Sequence, residues 1–133
     1  MGLESPDDYL IRRVNYYAAA QYVNTQLPPK SKIYVLGDQR GFYYERQIML
    51  NPVFSKNPFT EWANESEDAA ELRIKIGAEG ITHILVNRPE FERLTQAYPY
   101  LQFSPAGQAN WDSLQAHGLR KVYHDLICDV YAL

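Results

Sequence analysis

Apolar residues recur along this chain at two spacings, one helical and one strand-like. Over residues 7–26, Leu10, Val14, Tyr17 and Ala18 fall on one helical stripe that Tyr22 extends, and Ala18-Ala19-Ala20 favours helix by propensity. Ser5 can cap this helix, Pro6 fits its first position, Asp7 and Asp8 suit its dipole, and Leu27-Pro28-Pro29 stops it. Residues 33–36 are a continuous apolar run, the pattern of a strand covered on both faces. Residues 42–50 read as a second extended segment with Tyr43 and Tyr44 on opposite faces. Pro52 and Pro58 predict a loop over 51–59. Asn64 and Glu67 stand at capping-box spacing and open a helix with the stripe Ala69, Leu72 and Ile76, ended by Gly80. Residues 81–86 repeat the buried-strand pattern. Asn87 and Glu90 then repeat the capping box, ahead of the stripe Phe91, Leu94 and Tyr98. Ser104-Pro105 opens a further helix through Trp111 and Leu114 to Gly118. Residues 119–133 predict two short strands meeting near His124-Asp125-Leu126, with Cys128, Val130 and Ala132 alternating against Asp129, Tyr131 and Leu133.

Buried-type strands that alternate with helices predict an α/β domain. The expected architecture is a three-layer, Rossmann-like mixed sheet flanked by helices, with a C-terminal antiparallel hairpin, all in one domain over residues 1–133. If its strands are parallel, the strand–helix–strand unit over 42–86 would make a right-handed crossover.

Composition narrows the possible partners. The 133 residues carry 13 basic and 16 acidic side chains, a net charge of −3, and the signs are interspersed. That is no footprint for nucleic acid and no polybasic membrane patch. Hydrophobic residues make up 46%, which argues against disorder. Eleven tyrosines suit half-buried surfaces and interfaces, and most are expected to pack the core. Cys128 is the single cysteine, so it has no internal disulfide partner and reads as an inert buried thiol. No run reaches the length of a membrane span, and the sequence reads as one without a signal peptide. Met1-Gly2 has the look of an added start, so the chain reads as a piece of something larger.

The candidate chemistry lies at one strand end. Gly37-Asp38-Gln39-Arg40-Gly41 is neither a dinucleotide fingerprint nor a phosphate loop, because a strand rather than a helix is expected to follow. If the first and third strands are parallel neighbours, Asp38, Arg40, Asn87 and Arg88 share the carboxyl rim of the sheet, the usual ligand crevice of this architecture. Arginines there could hold a phosphate or carboxylate, and Tyr43 adds a polar-tipped ring. The plainer reading gives Asp38 to its own loop, Asn87 to a helix cap and Arg88 to solvent. His83 falls in a buried strand as a structural imidazole, His117 suits a helix C-terminus, and His124-Asp125 suits a turn. No histidine pair has a metal-site spacing, and there is no Gly-x-Ser-x-Gly or activated cysteine. Asn64-Glu65-Ser66 matches a glycosylation sequon. No catalytic residues, metal or cofactor are expected.

Four segments together resemble a known family. They are Asn15-Tyr16-Tyr17-Ala18-Ala19-Ala20-Gln21-Tyr22-Val23-Asn24, the stretch Lys32-Ile33-Tyr34-Val35-Leu36-Gly37-Asp38 with Arg40 and Tyr43-Tyr44, then Gly80-Ile81-Thr82-His83-Ile84-Leu85-Val86-Asn87, and the hairpin from Val122-Tyr123 to Tyr131-Ala132-Leu133. The pattern looks like the C-terminal soluble domain of bacterial polytopic membrane glycosyltransferases related to the family 39 protein-mannosyltransferases. The resemblance implies a parent enzyme that uses a polyprenyl-phosphate-linked sugar donor at a membrane-embedded site, with its catalytic acids in early extracytoplasmic loops that have no counterpart here. It implies a non-catalytic domain at the periplasmic face of the bacterial inner membrane. Its partners would be the membrane domain of the same polypeptide, the lipid-linked sugar or the acceptor. A self-contained domain for a small anion or nucleotide, and a structural or oligomerising module, stand as alternatives.

Overall fold

The computed structural model describes residues 17–37, 45–50 and 57–133. The expected start of the first helix, with Leu10 and Val14, and three rim residues, Asp38, Arg40 and Tyr43, lie outside them. The described elements are α1 (Tyr17–Gln26), β1 (Lys32–Leu36), β2 (Gln47–Leu50), α2 (Pro58–Glu65), α3 (Ala69–Ala78), β3 (His83–Asn87), α4 (Arg88–Ala97), a 3-10 turn (Pro99–Leu101), α5 (Pro105–Ser113), a π-helical turn (Leu114–Gly118), β4 (Arg120–His124) and β5 (Cys128–Ala132).

The strands form one mixed sheet in the order β2-β1-β3-β5-β4. β1 runs parallel to both β2 and β3, with Leu36 level with Val86. β5 is antiparallel to β3 and to β4, which makes the predicted C-terminal hairpin. β2 and β3 run parallel to each other, as the crossover requires, but β1 lies between them.

Strand side chains alternate between two apolar layers. Tyr34, Leu36, Ile84, Val86 and Tyr131 face one way, against Phe59 and Ala63 of α2, Leu72 and Ile76 of α3, Phe91 of α4 and Trp111 of α5. Ile33, Val35, Leu85, Cys128 and Val130 face the other way, against Ala19, Ala20 and Val23 of α1 and the following Leu27. This is the three-layer α/β arrangement expected from the buried-strand pattern. Cys128 is buried, as its apolar surroundings predicted.

Two local expectations need correction. The loop predicted over 51–59 ends early: Asn57 accepts a hydrogen bond from Thr60 N, and Pro58 occupies the first position of α2. The helix predicted to open at Asn64 opens at Asp68, which caps Glu71 N. Asn64 sits in the last turn of α2, where its Oδ1 accepts hydrogen bonds from Ser104 N and Ser104 Oγ. In the same sequon, Ser66 is buried and its Oγ donates to the Trp62 carbonyl at 2.5 Å. Asn110 fastens the α2–α5 contact: its Nδ2 donates to the Ala63 carbonyl at 3.0 Å and the Ser66 carbonyl at 2.8 Å.

Candidate functional site at the carboxyl rim

The parallel pairing of β1 and β3 brings Gly37 and Asn87 to the same end of the sheet. β1 connects onward to β2 on one side, whereas β3 leads towards β5 and β4 on the other. The strand ends therefore meet at a topological switch point, where open α/β sheets bind ligands. Gly37 has a φ of +91°, and a Cβ placed there would lie 2.7 Å from both the Asn87 carbonyl oxygen and Phe91 N. Glycine is thus required for β1 to end against the first turn of α4.

Asn87 caps α4, its Oδ1 accepting from Glu90 N at 3.3 Å. Its carboxamide is buried and belongs to the fold. Arg88 turns towards the β4–β5 hairpin. Its Nη1 donates to Asp129 Oδ1 at 2.7 Å, its Nη2 to the Asp125 carbonyl at 2.5 Å, and its backbone N–H to the Ile127 carbonyl at 2.9 Å. Asp129 is only 4% exposed and gathers two more groups: His124 Nδ1, in close hydrogen-bond contact, and Lys121 Nζ at 3.8 Å. The guanidinium is therefore largely committed to a buried carboxylate.

Asp129 is the rim residue that sequence reasoning assigned only to a strand alternation. The ladder sets it level with Val86, two residues before Arg88, but the Arg88–Asp129 contact spans 41 residues and leaves no local signature. The neighbouring phenols answer to these charges. Burial, then the negative charge of Asp129, raises the Tyr131 pKa. Burial, then the hydrogen bond and charge of Asp125, raises that of Tyr123.

Beside the rim, an open cleft of about 240 Å³ separates α4 from α5 and its π-helical extension. Each side contributes a helical stripe: Arg88, Phe91 and Glu92 from α4, and Trp111, Asp112 and Gln115 from the other side. The base is apolar and the lip carries carboxylates and an amide.

The predicted histidines divide as expected for His83 and His117. His83 is half-buried and hydrogen-bonded to Thr82 Oγ1 at 2.8 Å. Burial, followed by the charge of Arg120, lowers its pKa. His117 is exposed at the end of the π-helical turn. His124 closes β4 rather than forming the turn itself. Among the described residues, no three His, Cys, Asp or Glu side chains converge as a metal site would need. None of the described helices is long and apolar enough to cross a membrane.

No protein-family model and no curated protein matches the chain. Its fold is similar to the crystal structure of the C-terminal globular domain of an oligosaccharyltransferase from Archaeoglobus fulgidus, with a TM-score of 0.50 and 10% identity. The likeness covers 99% of both chains, so it describes the whole fold rather than a shared fragment. At that identity it speaks to the fold.

Proposed function

We propose that this chain is a C-terminal extracytoplasmic accessory domain of an integral-membrane glycosyltransferase that uses a polyprenyl-phosphate-linked sugar donor. The observation that carries the reading is the end-to-end likeness of its fold to a C-terminal globular domain of an oligosaccharyltransferase. The sequence resemblance to membrane glycosyltransferases points to the same kind of parent by a separate route. The domain sits at the periplasmic face of a bacterial inner membrane and leaves bond-making to the membrane part of its own polypeptide.

In this reading the rim and the adjoining cleft form the working face. Arg88 holds the hairpin in place for that face, with Asn87 fixing the helix it starts. Asp38, Arg40 and Tyr43 supply its remaining polar contacts, Arg40 being the cation for a donor phosphate. Sugar transfer is measured in membranes that carry the whole polypeptide, intact, lacking residues 17–133, or with Arg40→Ala. Loss of transfer on deletion and a several-fold fall with Arg40→Ala are expected. A reading frame without hydrophobic spans upstream, or full transfer without the domain, would overturn the proposal.

A further inference from the structure

The sequon Asn64-Glu65-Ser66 plays no part in the rim. Such a motif accepts an N-linked sugar when it lies in exposed chain, where the asparagine carboxamide and the hydroxyl two residues on can both be presented. In this fold both groups are engaged elsewhere.

Asn64 stands in the last turn of α2, with its carboxamide at the joint with α5. Its Oδ1 accepts from Ser104 N at 2.8 Å and from Ser104 Oγ at 3.1 Å. Only the amide oxygen can accept from a backbone N–H, so the carboxamide is held one way round. The same Ser104 hydroxyl accepts from Gly107 N at 3.0 Å, capping α5 while it fastens Asn64. A Cβ placed on Gly107 would lie 2.0 Å from Asn64 Oδ1 and 3.0 Å from its Cγ. The backbone of α5 therefore runs directly onto the acceptor side chain.

Ser66 is 5% exposed. Its Oγ and its backbone N–H both donate to the Trp62 carbonyl, at 2.5 Å and 3.1 Å. Its own carbonyl accepts from Asn110 Nδ2 at 2.8 Å. Presenting the sequon to an enzyme thus means unwinding the end of α2 and breaking all of these hydrogen bonds. The residues that close it, Ser104 and Asn110, lie 40 and 44 positions along the chain from Asn64 and Ser66, so folding closes the site and the local sequence does not.

We propose that Asn64 is a latent N-glycosylation site, an acceptor in the unfolded chain that the docking of α2 on α5 shuts. The reaction forms a bond from Asn64 Nδ2 to the anomeric carbon of a phosphate-activated sugar donor held by a separate transferase. It breaks that carbon's bond to the donor phosphate and releases the displaced Nδ2 proton. A folded domain offers the acceptor only through its unfolded fraction, about one part in a thousand or less. The inference does not depend on the identity of the parent polypeptide.

The test gives this chain a flexible C-terminal tail with a second sequon and treats it with a purified transferase specific for Asn-x-Ser/Thr. Peptide mass spectrometry locates the sugars. The folded chain is expected to be modified on the tail and about a thousandfold more slowly at Asn64. A peptide of residues 58–70 is expected to be modified readily. Gly37→Ala, outside the α2–α5 joint, is expected to raise the rate at Asn64 about 30-fold or more by enlarging the unfolded population. Should that variant fail to fold, it should match the peptide. Modification of Asn64 as fast as the tail, in a chain whose circular dichroism shows it folded, overturns the proposal. So does a peptide that is not modified, since the motif is then no acceptor even when free. A rate at Asn64 that Gly37→Ala leaves unchanged also overturns it, because the end of α2 then opens without the rest of the fold.

Discussion

Gly37→Ala will destabilise the domain out of proportion to the single methyl it adds. The φ of +91° already places an L side chain in a region that costs about 1–2 kcal/mol. The new Cβ would also meet the Asn87 carbonyl oxygen and Phe91 N at 2.7 Å, well inside ordinary contact, and both are backbone atoms that no rotamer change can move. Overpacking of this kind adds about 1–3 kcal/mol, for a total of roughly 2–5 kcal/mol. In a chain of this size the melting temperature should fall by about 10 °C or more. The control is Gly77→Ala, near the end of α3, where the new methyl lies 3.9 Å from Leu133 Cδ2. There alanine replaces glycine within a helix and should stabilise by about 0.5 kcal/mol. Urea unfolding followed by circular dichroism gives both values, with the slope unchanged if the native and denatured states keep their compactness. A loss below about 1 kcal/mol for Gly37→Ala would refute the close approach of β1 to α4, and with it the geometry of the rim.

Arg88→Met strips a buried carboxylate of its arginine partner. Such breaks cost about 3–5 kcal/mol in full burial. Because Arg88 is 34% exposed and His124 and Lys121 remain, about 2 kcal/mol is expected by chemical denaturation, part of it recovered by adding Asp129→Asn. Asn110→Leu deprives two buried carbonyls of their donor and should cost about 2–3 kcal/mol, with Asn110→Asp no better. His83 has a lowered pKa, so the unfolded chain takes up its proton first as pH falls. Its contribution is complete above the unfolded value of 6.5 and is lost as pH drops through that value towards the lower folded one. His83→Gln should therefore flatten the decline in stability between about pH 7.5 and 5.5, as seen in urea midpoints.

The sequence made much of this architecture readable where one local rule had no rival. The apolar runs at residues 33–36 and 81–86 became the central parallel pair, and the Asn87–Glu90 spacing became the actual cap of α4. Reading failed where two local rules competed. Pro58 stops a chain as readily as it starts a helix, and only Asn57 in front of it decides the matter. Asn64–Glu67 and Asp68–Glu71 both have capping-box spacing four residues apart; the contact of Asn64 with Ser104, 40 residues away, selects the second. The rim was half legible. Its location followed from strand-end logic, but the capture of Arg88 by Asp129 is a property of the β3–β5 ladder and has no sequence-local trace.

The strand order carries a consequence for biosynthesis. β3 lies at the middle of the sheet, and one of its two neighbours is β5, at Cys128–Ala132. A ribosome finishes β3 about forty residues before it supplies that neighbour. Through that interval one edge of the most apolar strand pair stays open, with its backbone donors and acceptors unpaired. Nascent chains arrested before residue 128 should therefore be the species that chaperones hold and that aggregate when unattended, and completion of the final hairpin should mark their release.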